Sequence, residues 1–229
     1  MVTALLPMKA NSQRVPGKNF KPLCGRPLYR WILDNLLAVG AVERVIINTD
    51  ATVLLSDPCL LNDRRIILRE RDLALRGDAV SMNKILASDV AFDTASTFLM
   101  THTTNPFLSV ATITTALNKF KNALVSGSAD SLFSVNRFQT RFYRTDGSAI
   151  NHDSASLVQT QDLEPWYEEN SCLYLFTRES FSSTEARIGR NPIMFETPRF
   201  ESIDIDTPVD WEMAELVAPL FESRSEMPN

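Results

Sequence analysis

The sequence predicts a doubly wound α/β protein on a mostly parallel sheet, and three observations carry that expectation. Short apolar or β-branched runs alternate with longer stretches of helical period along most of the chain. The first run, Val2–Leu6, reads as a strand buried on both faces, as strands between two layers of helices are. Polar loops follow several of the runs, at what become the carboxyl ends of strands, where such sheets hold their ligands.

The elements follow in order. Val2–Leu6 stops at Pro7. Leu28–Val39 carries apolar residues at 28, 31, 32, 36 and 39, one face of a helix, and Gly40 ends it. Val45–Asn48 and Ile66–Leu68 are strands, Val80–Phe92 is a helix, and Thr97–Met100 is a strand running into a polar loop. Ser109 caps a helix reaching Lys121, and Leu132–Val135 and Cys172–Phe176 follow as strands. The last helix has Thr207 as N-cap, Pro208 at its first position and Asp210 three residues after the cap, and runs to about Pro219. Arg137–Trp166 breaks this alternation: it is polar, holds Gly147, Asn151 and scattered aromatics, and lacks a helical period. About thirty residues are too many for a bare loop in a compact domain. A small β excursion that packs against a partner subunit, inserted in a single domain of residues 1–229, is expected.

Composition removes several classes of protein. With 229 residues, 44% apolar and 22% charged, the chain is neither disordered, collagenous nor coiled-coil. A formal net charge of −5 argues against a general nucleic-acid or anionic-membrane binder. Cys24, Cys59 and Cys172 are odd in number and widely spaced, with no CxxC, so reduced and mostly buried thiols are expected. The N-terminus lacks a basic n-region and its apolar run breaks at Pro7, and no run of about 18 apolar residues occurs. A soluble, cytoplasmic protein is the expectation.

The densest chemistry follows the first strand. Lys9, Arg14 and Lys18 put three cations into ten residues without an acid, in a chain that is acidic overall. Such a loop suits an oligophosphate, although a solvated basic loop has the same composition. It is neither a Walker A loop nor a GxGxxG loop. Near the other end, Asp204 and Asp206 alternate along what reads as a strand, so both carboxylates share a face. Two such acids repel unless a cation sits between them, and Mg²⁺ typically takes one or two carboxylates plus phosphate oxygens and water. Solvated or helix-capping acids are the other reading, for which Asp210 is the better candidate.

The segment Leu6–Asn19 resembles the signature of the sugar-acid cytidylyltransferases, the family of the CMP-sialic acid synthetases, roughly I-P-A-R-x-G-S-K-x-x-x-x-K-N. Pro7, Ser12, Lys18 and Asn19 match; Lys9 replaces the arginine, Asn11 the glycine and Gln13 the lysine. Lys9 keeps the charge without the planar fork, which Arg14 is placed to restore. Four more segments resemble the family's in order. Arg69–Ala74 is similar to R-P-x-x-L-A, and Gly77–Ser81 to the D-x-x-S that follows. Gln161–Ser171 is similar to Q-D-L-x-x-x-Y-x-x-N-G with serine for the last glycine, and Ser202–Asp210 to S-I-D-I-D-T-x-x-D.

The resemblance implies a Rossmann-like nucleotidyltransferase with a small β dimerisation excursion at 137–166, using CTP and releasing pyrophosphate. It implies nucleotide binding by Pro7, Lys9, Ser12, Arg14, Lys18, Asn19, Arg69 and Ser81, and Mg²⁺ on Asp204 and Asp206. Lys9, Lys18 and Asp206 are the expected catalytic residues. His102, Thr104, Asn105, Gln161, Tyr167 and Asn170 are the expected acceptor side, with a sialic-acid-like 2-keto-3-deoxy acid as acceptor and a homodimer as the assembly. Here the sequence departs most: His102 stands for a glutamine and Thr160 for an arginine, while a lone histidine is as often structural. Arg137, Arg141 and Arg144, interleaved with Phe138, Phe142 and Tyr143, suit an anionic acceptor across a dimer or simple dimer packing better than nucleic acid. A phosphonate or polyol phosphate acceptor, or a non-catalytic nucleotide-binding protein, are the alternatives. No GxSxG elbow and no Cys paired with a nearby His offers a covalent route.

Overall fold

The chain runs through β1 (Val2–Leu5), the two-residue strands β2 (Pro22–Leu23) and β3 (Arg26–Pro27), then α1 (Leu28–Ala38), β4 (Val42–Thr49) and the short α2 (Pro58–Leu61). β5 (Ile66–Glu70), α3 (Met82–Phe92), β6 (Thr97–Thr101), α4 (Val110–Val125) and β7 (Ser131–Phe138) follow. The chain ends with β8 (Trp166–Thr177), α5 (Arg178–Thr184), β9 (Pro192–Glu196) and α6 (Pro208–Ser225). This computed structural model describes residues 1–156 and 158–225, with side chains to residue 221. Leu157, in the Arg137–Trp166 stretch, and residues 226–229, at the end of the expected domain, lie outside the described residues.

Seven strands form one sheet in the order β5-β4-β1-β6-β8-β7-β9. β4, β1 and β6 are parallel neighbours, β5 is parallel to β4 and β9 to β7, while β8 runs against both β6 and β7. Six strands therefore share a direction, and the expected mostly parallel sheet is what the chain forms.

Alternate side chains on the same strands build the two cores. Ala4, Val45, Ile47 and Leu99 pack with Ile32, Leu33 and Leu36 of α1 and Ile113, Ala116 and Phe120 of α4. Leu5, Ile46, Phe98 and Met100 face the other way, onto Leu86 and Val90 of α3 and Phe181 beside α5 strand partners Tyr174 and Phe176. A third cluster, with Leu23, Leu28, Trp31, Phe107, Ile205 and Trp211, docks α6 and the β2–β3 hairpin against α1.

The expected helices and the expected sheet strands are present, several of them longer, but the segment of Asp204 and Asp206 is not a strand. β8 begins at Trp166 rather than Cys172 because Trp166–Glu169 pair with Val135–Phe138 although their side chains are exposed. Cross-strand pairing, not burial, makes them a strand, and periodicity does not register that. β9 was not expected; its proline sits at the first position of an edge strand, where a missing N–H is tolerated. Within Arg137–Trp166 the β content beyond the ends of β7 and β8 is a bridge between Tyr143 and Ala149, with one 3₁₀ turn at Thr160–Asp162. Phe142 stacks on Trp166 at 5.2 Å, so aromatic contact orders the stretch where a ladder does not. Of the thiols, Cys172 is buried, but Cys24 and Cys59 are exposed, against expectation.

The loop after α5 returns to the sheet through a close approach at Gly189. A Cβ there would collide with Ser180 Oγ and the Asp130 carboxylate. That carboxylate accepts from the backbone N–H groups of Arg190 (2.8 Å) and Asn191 (3.1 Å) and cannot easily move aside. Gly189→Ala should therefore destabilise the protein by about 1–3 kcal/mol, the usual cost of overpacking; urea or thermal unfolding of the variant checks this.

Candidate active site

A cleft of about 530 Å³ opens at the carboxyl ends of the central strands. The loop after β1 forms one wall. Its first residues extend the parallel pairing, Leu6 N–H to Ile46 O (2.9 Å) and Met8 N–H to Asn48 O (3.0 Å), before the chain turns away. Gly17, at φ +64°, supplies the left-handed turn that brings it back. Asn19 clamps the loop: its Nδ2 donates to Lys9 O (2.8 Å) and its Oδ1 accepts from Thr103 Oγ1 (2.7 Å). Pro7, Lys9, Ser12, Arg14, Lys18 and Asn19 consequently all line the cleft, as the sequence led one to expect.

Each loop cation meets an acid across the cleft. Lys18, only 8% exposed, donates from Nζ to Ile205 O (2.7 Å) and to Asp206 Oδ1 (2.9 Å). Arg14 Nη2 takes the other oxygen, Asp206 Oδ2 (2.7 Å). Lys9 Nζ reaches Asp78 Oδ1 (2.6 Å), while Gln13 Nε2 donates to Asp78 Oδ2 (2.5 Å). The Lys9 contact holds the Asp78 carboxyl below the usual carboxylate range. Asp78 has no counterpart in the sequence reading beyond its place in the Gly77–Ser81 match.

Asp204 and Asp206 do share the cleft, but not on a strand: residues 203–206 form an irregular extended segment. It is held by Ile205 N–H to Thr104 O (2.8 Å) and Asn105 Nδ2 to Ile203 O (3.3 Å). Buried Ile205 points into the third core, so the acids on either side of it face outward together. Burial, with the charge of Asp206 adding to it, raises the Asp204 pKa, and its Oδ1 is buried with no hydrogen-bond partner among the described residues. Asp210 is a cap: its Oδ2 accepts from the N–H groups of Asp206 (3.0 Å) and Thr207 (2.7 Å), and Thr207 Oγ1 accepts from Asp210 N–H (3.3 Å). This reciprocal box starts α6 and orients Asp206.

Two expected nucleotide residues lie elsewhere. Arg69 turns to the α3 side, where Nη1 donates to Asp89 Oδ1 (2.5 Å) and Ser88 O (3.1 Å). Arg71 lines the cleft instead, buried at 1% exposure and bonded to Asn48 Oδ1 (3.0 Å), Asn48 O (2.7 Å) and Met8 O (3.1 Å). Both arginines stand in Arg69–Ala74; Asp89 holds the first on the α3 side, and Asn48 and Met8 O hold the second at the cleft. Ser81 is exposed as the residue preceding α3, and Met82 lines the cleft in its stead.

On the acceptor side, His102 and Thr104 line the cleft and the other four residues do not. Asn105 is fully buried beneath the 203–205 segment. Asn170 folds inward, donating to Asn136 Oδ1 (3.0 Å) and Thr197 Oγ1 (2.6 Å). Tyr167 is exposed on the outer part of β8 opposite Arg137, and Gln161 is exposed in the 3₁₀ turn. The cleft wall is completed by Ser171 and Arg187, which the sequence reading did not single out. Ser171, at φ +60°, sits in the irregularity between β7 and β8, at the position where the family pattern has glycine. Burial, with Arg187 adding to it, pushes the His102 pKa down to about 4.

The arrangement is a nucleotide-scale cleft with a cationic loop on one wall and two carboxylates opposite, on a fold of the nucleotidyltransferase type. A solved structure of CMP-2-keto-3-deoxy-manno-octonic acid synthetase with CTP superposes with a TM-score of 0.65 over 96% of this chain and 98% of that one, at 14% identity. The cytidylyltransferase family matches residues 3–201, and the chain belongs to it: it is a CTP-dependent cytidylyltransferase. The chain is 28% identical over 233 residues to the CMP-N,N'-diacetyllegionaminic acid synthase of Legionella pneumophila, covering 96% of this chain and 97% of that protein. It is 21% identical over 224 residues to the pseudaminic acid cytidylyltransferase of Campylobacter jejuni, with 93% and 94% covered. The resemblance to the cytidylyltransferase family is thus borne out, and among the described residues no helix is long and apolar enough to cross a membrane.

The depressed His102 pKa has a pH consequence. A histidine near 6.5 when unfolded and near 4 when folded contributes stability above pH 6.5 that is lost as pH falls toward 4. His102→Gln should remove that part of the loss, on the order of 2 kcal/mol between pH 7 and 4.5. Urea titrations of both proteins at the two pH values give the difference; equal losses would contradict it.

Proposed function

We propose that the protein transfers a cytidylyl group from CTP to a sialic-acid-like 2-keto-3-deoxy sugar acid, releasing pyrophosphate. The observation that carries the reading is Asp206 held by both Lys18 and Arg14 of the cationic loop, which brings triphosphate-binding charges against a metal-type carboxylate pair. Relatives named for legionaminic and pseudaminic acid support the acceptor class.

Lys9, Ser12, Arg14 and Lys18 would bind the triphosphate, whose oxygens displace Asp78 from Lys9 and Asp206 from Arg14. Arg71, whose Nη1 has no partner among the described residues, is the better candidate than Arg69 for the cytosine. The anomeric hydroxyl oxygen of the acid attacks the α-phosphorus in line and gives up its proton to water, the α–β phosphoanhydride bond breaks, and pyrophosphate leaves against Lys9, Arg14 and Lys18. No covalent intermediate is needed, because position and charge do the work.

The acids suit a hard divalent cation that keeps phosphate oxygens and water as its other ligands: Asp204 has a buried carboxylate oxygen with no hydrogen-bond partner among the described residues. Mg²⁺ on Asp204 and Asp206 would neutralise charge at the α-phosphate and acidify the attacking hydroxyl. The stretch Arg137–Trp166 would form the contact of a homodimer, since it exposes Tyr143, Ile150, Val158 and Trp166, with Tyr167 exposed next to it. Across that contact Gln161 and Tyr167 would reach a partner's acceptor site. Sedimentation tests this: wild type should be dimeric and a Trp166→Ala/Tyr167→Ala variant largely monomeric.

Pyrophosphate release, measured with CTP, UTP, ATP or GTP against a panel of sugar acids, phosphonates and polyol phosphates, tests the activity. CTP with a 2-keto-3-deoxy sugar acid should be the productive pair. Tight CTP binding with silence toward every acceptor would leave a non-catalytic protein. Asp206→Ala should lower turnover at least roughly 100-fold with an unchanged circular dichroism spectrum; normal turnover would refute the metal assignment.

A further inference from the structure

Arg187 is the cleft cation that the nucleotide reading leaves without a task. It sits after α5, on the wall opposite the cationic loop, with its backbone N–H bonded to Asn83 Oδ1 (3.4 Å). Its guanidinium lies over the ring of Tyr174, Cζ at 3.8 Å from the centroid, which holds the group at that place in the wall. Nη1 is 3.5 Å from His102 Nε2, and Nη2 is 3.3 Å from Glu169 Oε1.

That ion pair is the longest of those in the cleft. Lys9, Arg14 and Lys18 hold their acids at 2.6, 2.7 and 2.9 Å. Glu169 Oε1 also accepts the hydroxyl of Tyr174, so the carboxylate is shared. Arg187 is 20% exposed and Glu169 40%. A largely desolvated guanidinium, seated over a ring, with one shared carboxylate oxygen on Nη2 and only long contacts from Nη1 to His102 and Met100, has donors to spare for a planar anion. Nε has no partner among the described residues. Beside it, His102 lies within electrostatic reach of both Arg187 and the Asp206–Lys18 pair, so Arg187 and that pair act on the same histidine of the cleft wall.

We propose that Arg187 is the specificity residue that binds the carboxylate of the acceptor, with Glu169 occupying the guanidinium until that carboxylate arrives. This rests on the sugar-acid reading above. The acceptor carboxylate would form a two-point contact with the fork, which a single shared oxygen of Glu169 does not. In a 2-keto acid the carboxylate and the attacking anomeric hydroxyl are on adjacent carbons, so the arginine that grips the first also aims the second. The chain has threonine at position 160, where the family pattern has an arginine, and Arg187 supplies a guanidinium from another part of the fold.

The test compares the productive sugar acid with its C1 carboxamide in wild type, Arg187→Ala and Arg187→Lys, by pyrophosphate release at saturating CTP. Wild type should prefer the acid; Arg187→Ala should lower kcat/KM for the acid roughly 10- to 100-fold and for the amide less than about twofold. Arg187→Lys should keep part of the preference, as a charge without the fork does. The KM for CTP and the thermal shift produced by CTP should stay unchanged in both variants. Equal losses for acid and amide, or an undiminished preference in Arg187→Ala, would overturn the assignment. If Arg187→Ala shows no CTP-dependent thermal shift, Arg187→Lys and Arg187→Gln carry the same comparison. A wild type that turns over no sugar acid overturns the underlying reading and this assignment with it, and is recognised before any variant is made.

Discussion

The cleft depends on the pairing of Lys18 with Asp206. A buried ammonium without a counter-charge costs several kcal/mol, so a loop that buries Lys18 beside β1 must have an acid delivered to it. The acid comes from 188 residues further along the chain. That one requirement ties the cationic loop to the segment before α6, and with it the third hydrophobic cluster to the sheet. The capping box of Thr207 and Asp210 then holds the backbone of Asp206 where Lys18 can reach it. Arg14 adds little stability of its own, since its side chain is 62% exposed, but it leaves Asp206 with a cation on each oxygen. Each of the three loop cations is thereby paired with an acid across the cleft.

A second polar network fixes the floor. Arg71 bonds to Asn48 and to the backbone of Met8, while the Asn48 amide and Arg69 both bond to buried Asp89. Burial raises the Asp89 pKa and lowers that of Arg71, in each case against the pull of the charges around it. These bonds join the ends of β1, β4 and β5 to α3. Rigid strand ends suit a site whose chemistry is positioning and charge.

Much of the fold was legible because burial repeats with the period of each element. α1 and α4 show it in their apolar faces, and β1, β4 and β6 in runs that feed cores on both sides of the sheet. The elements that were missed are those made by pairing or position. β9 is a short edge strand opening on proline, and the first part of β8 is polar sequence made strand by its neighbour β7. The loop residues of the site were legible as well, since charges concentrated without acids in an acidic chain are conspicuous. Arg71 and Arg187 were not, for an arginine's letter carries no direction. Arg69 and Arg71 have the same composition and nearly the same address, and their separation comes from Asp89, twenty residues from Arg69, and from Asn48 and Met8 O, which hold Arg71. Asn170 had the right motif and the wrong orientation, because the irregularity that carries Ser171 turns it inward.

By itself, then, the sequence determined the α/β class, the cationic loop, the acid pair and the helix start beside it, each of which is a local pattern of period, charge or capping. Only the tertiary structure decided that Lys9 faces Asp78, that Lys18 and Arg14 share Asp206, and that His102 is held neutral beside Arg187. The physical reason is that these are electrostatic contacts between residues far apart in the chain. Their partners are chosen by where the sheet order and the core bring backbone segments together, and no spacing along the sequence encodes that choice.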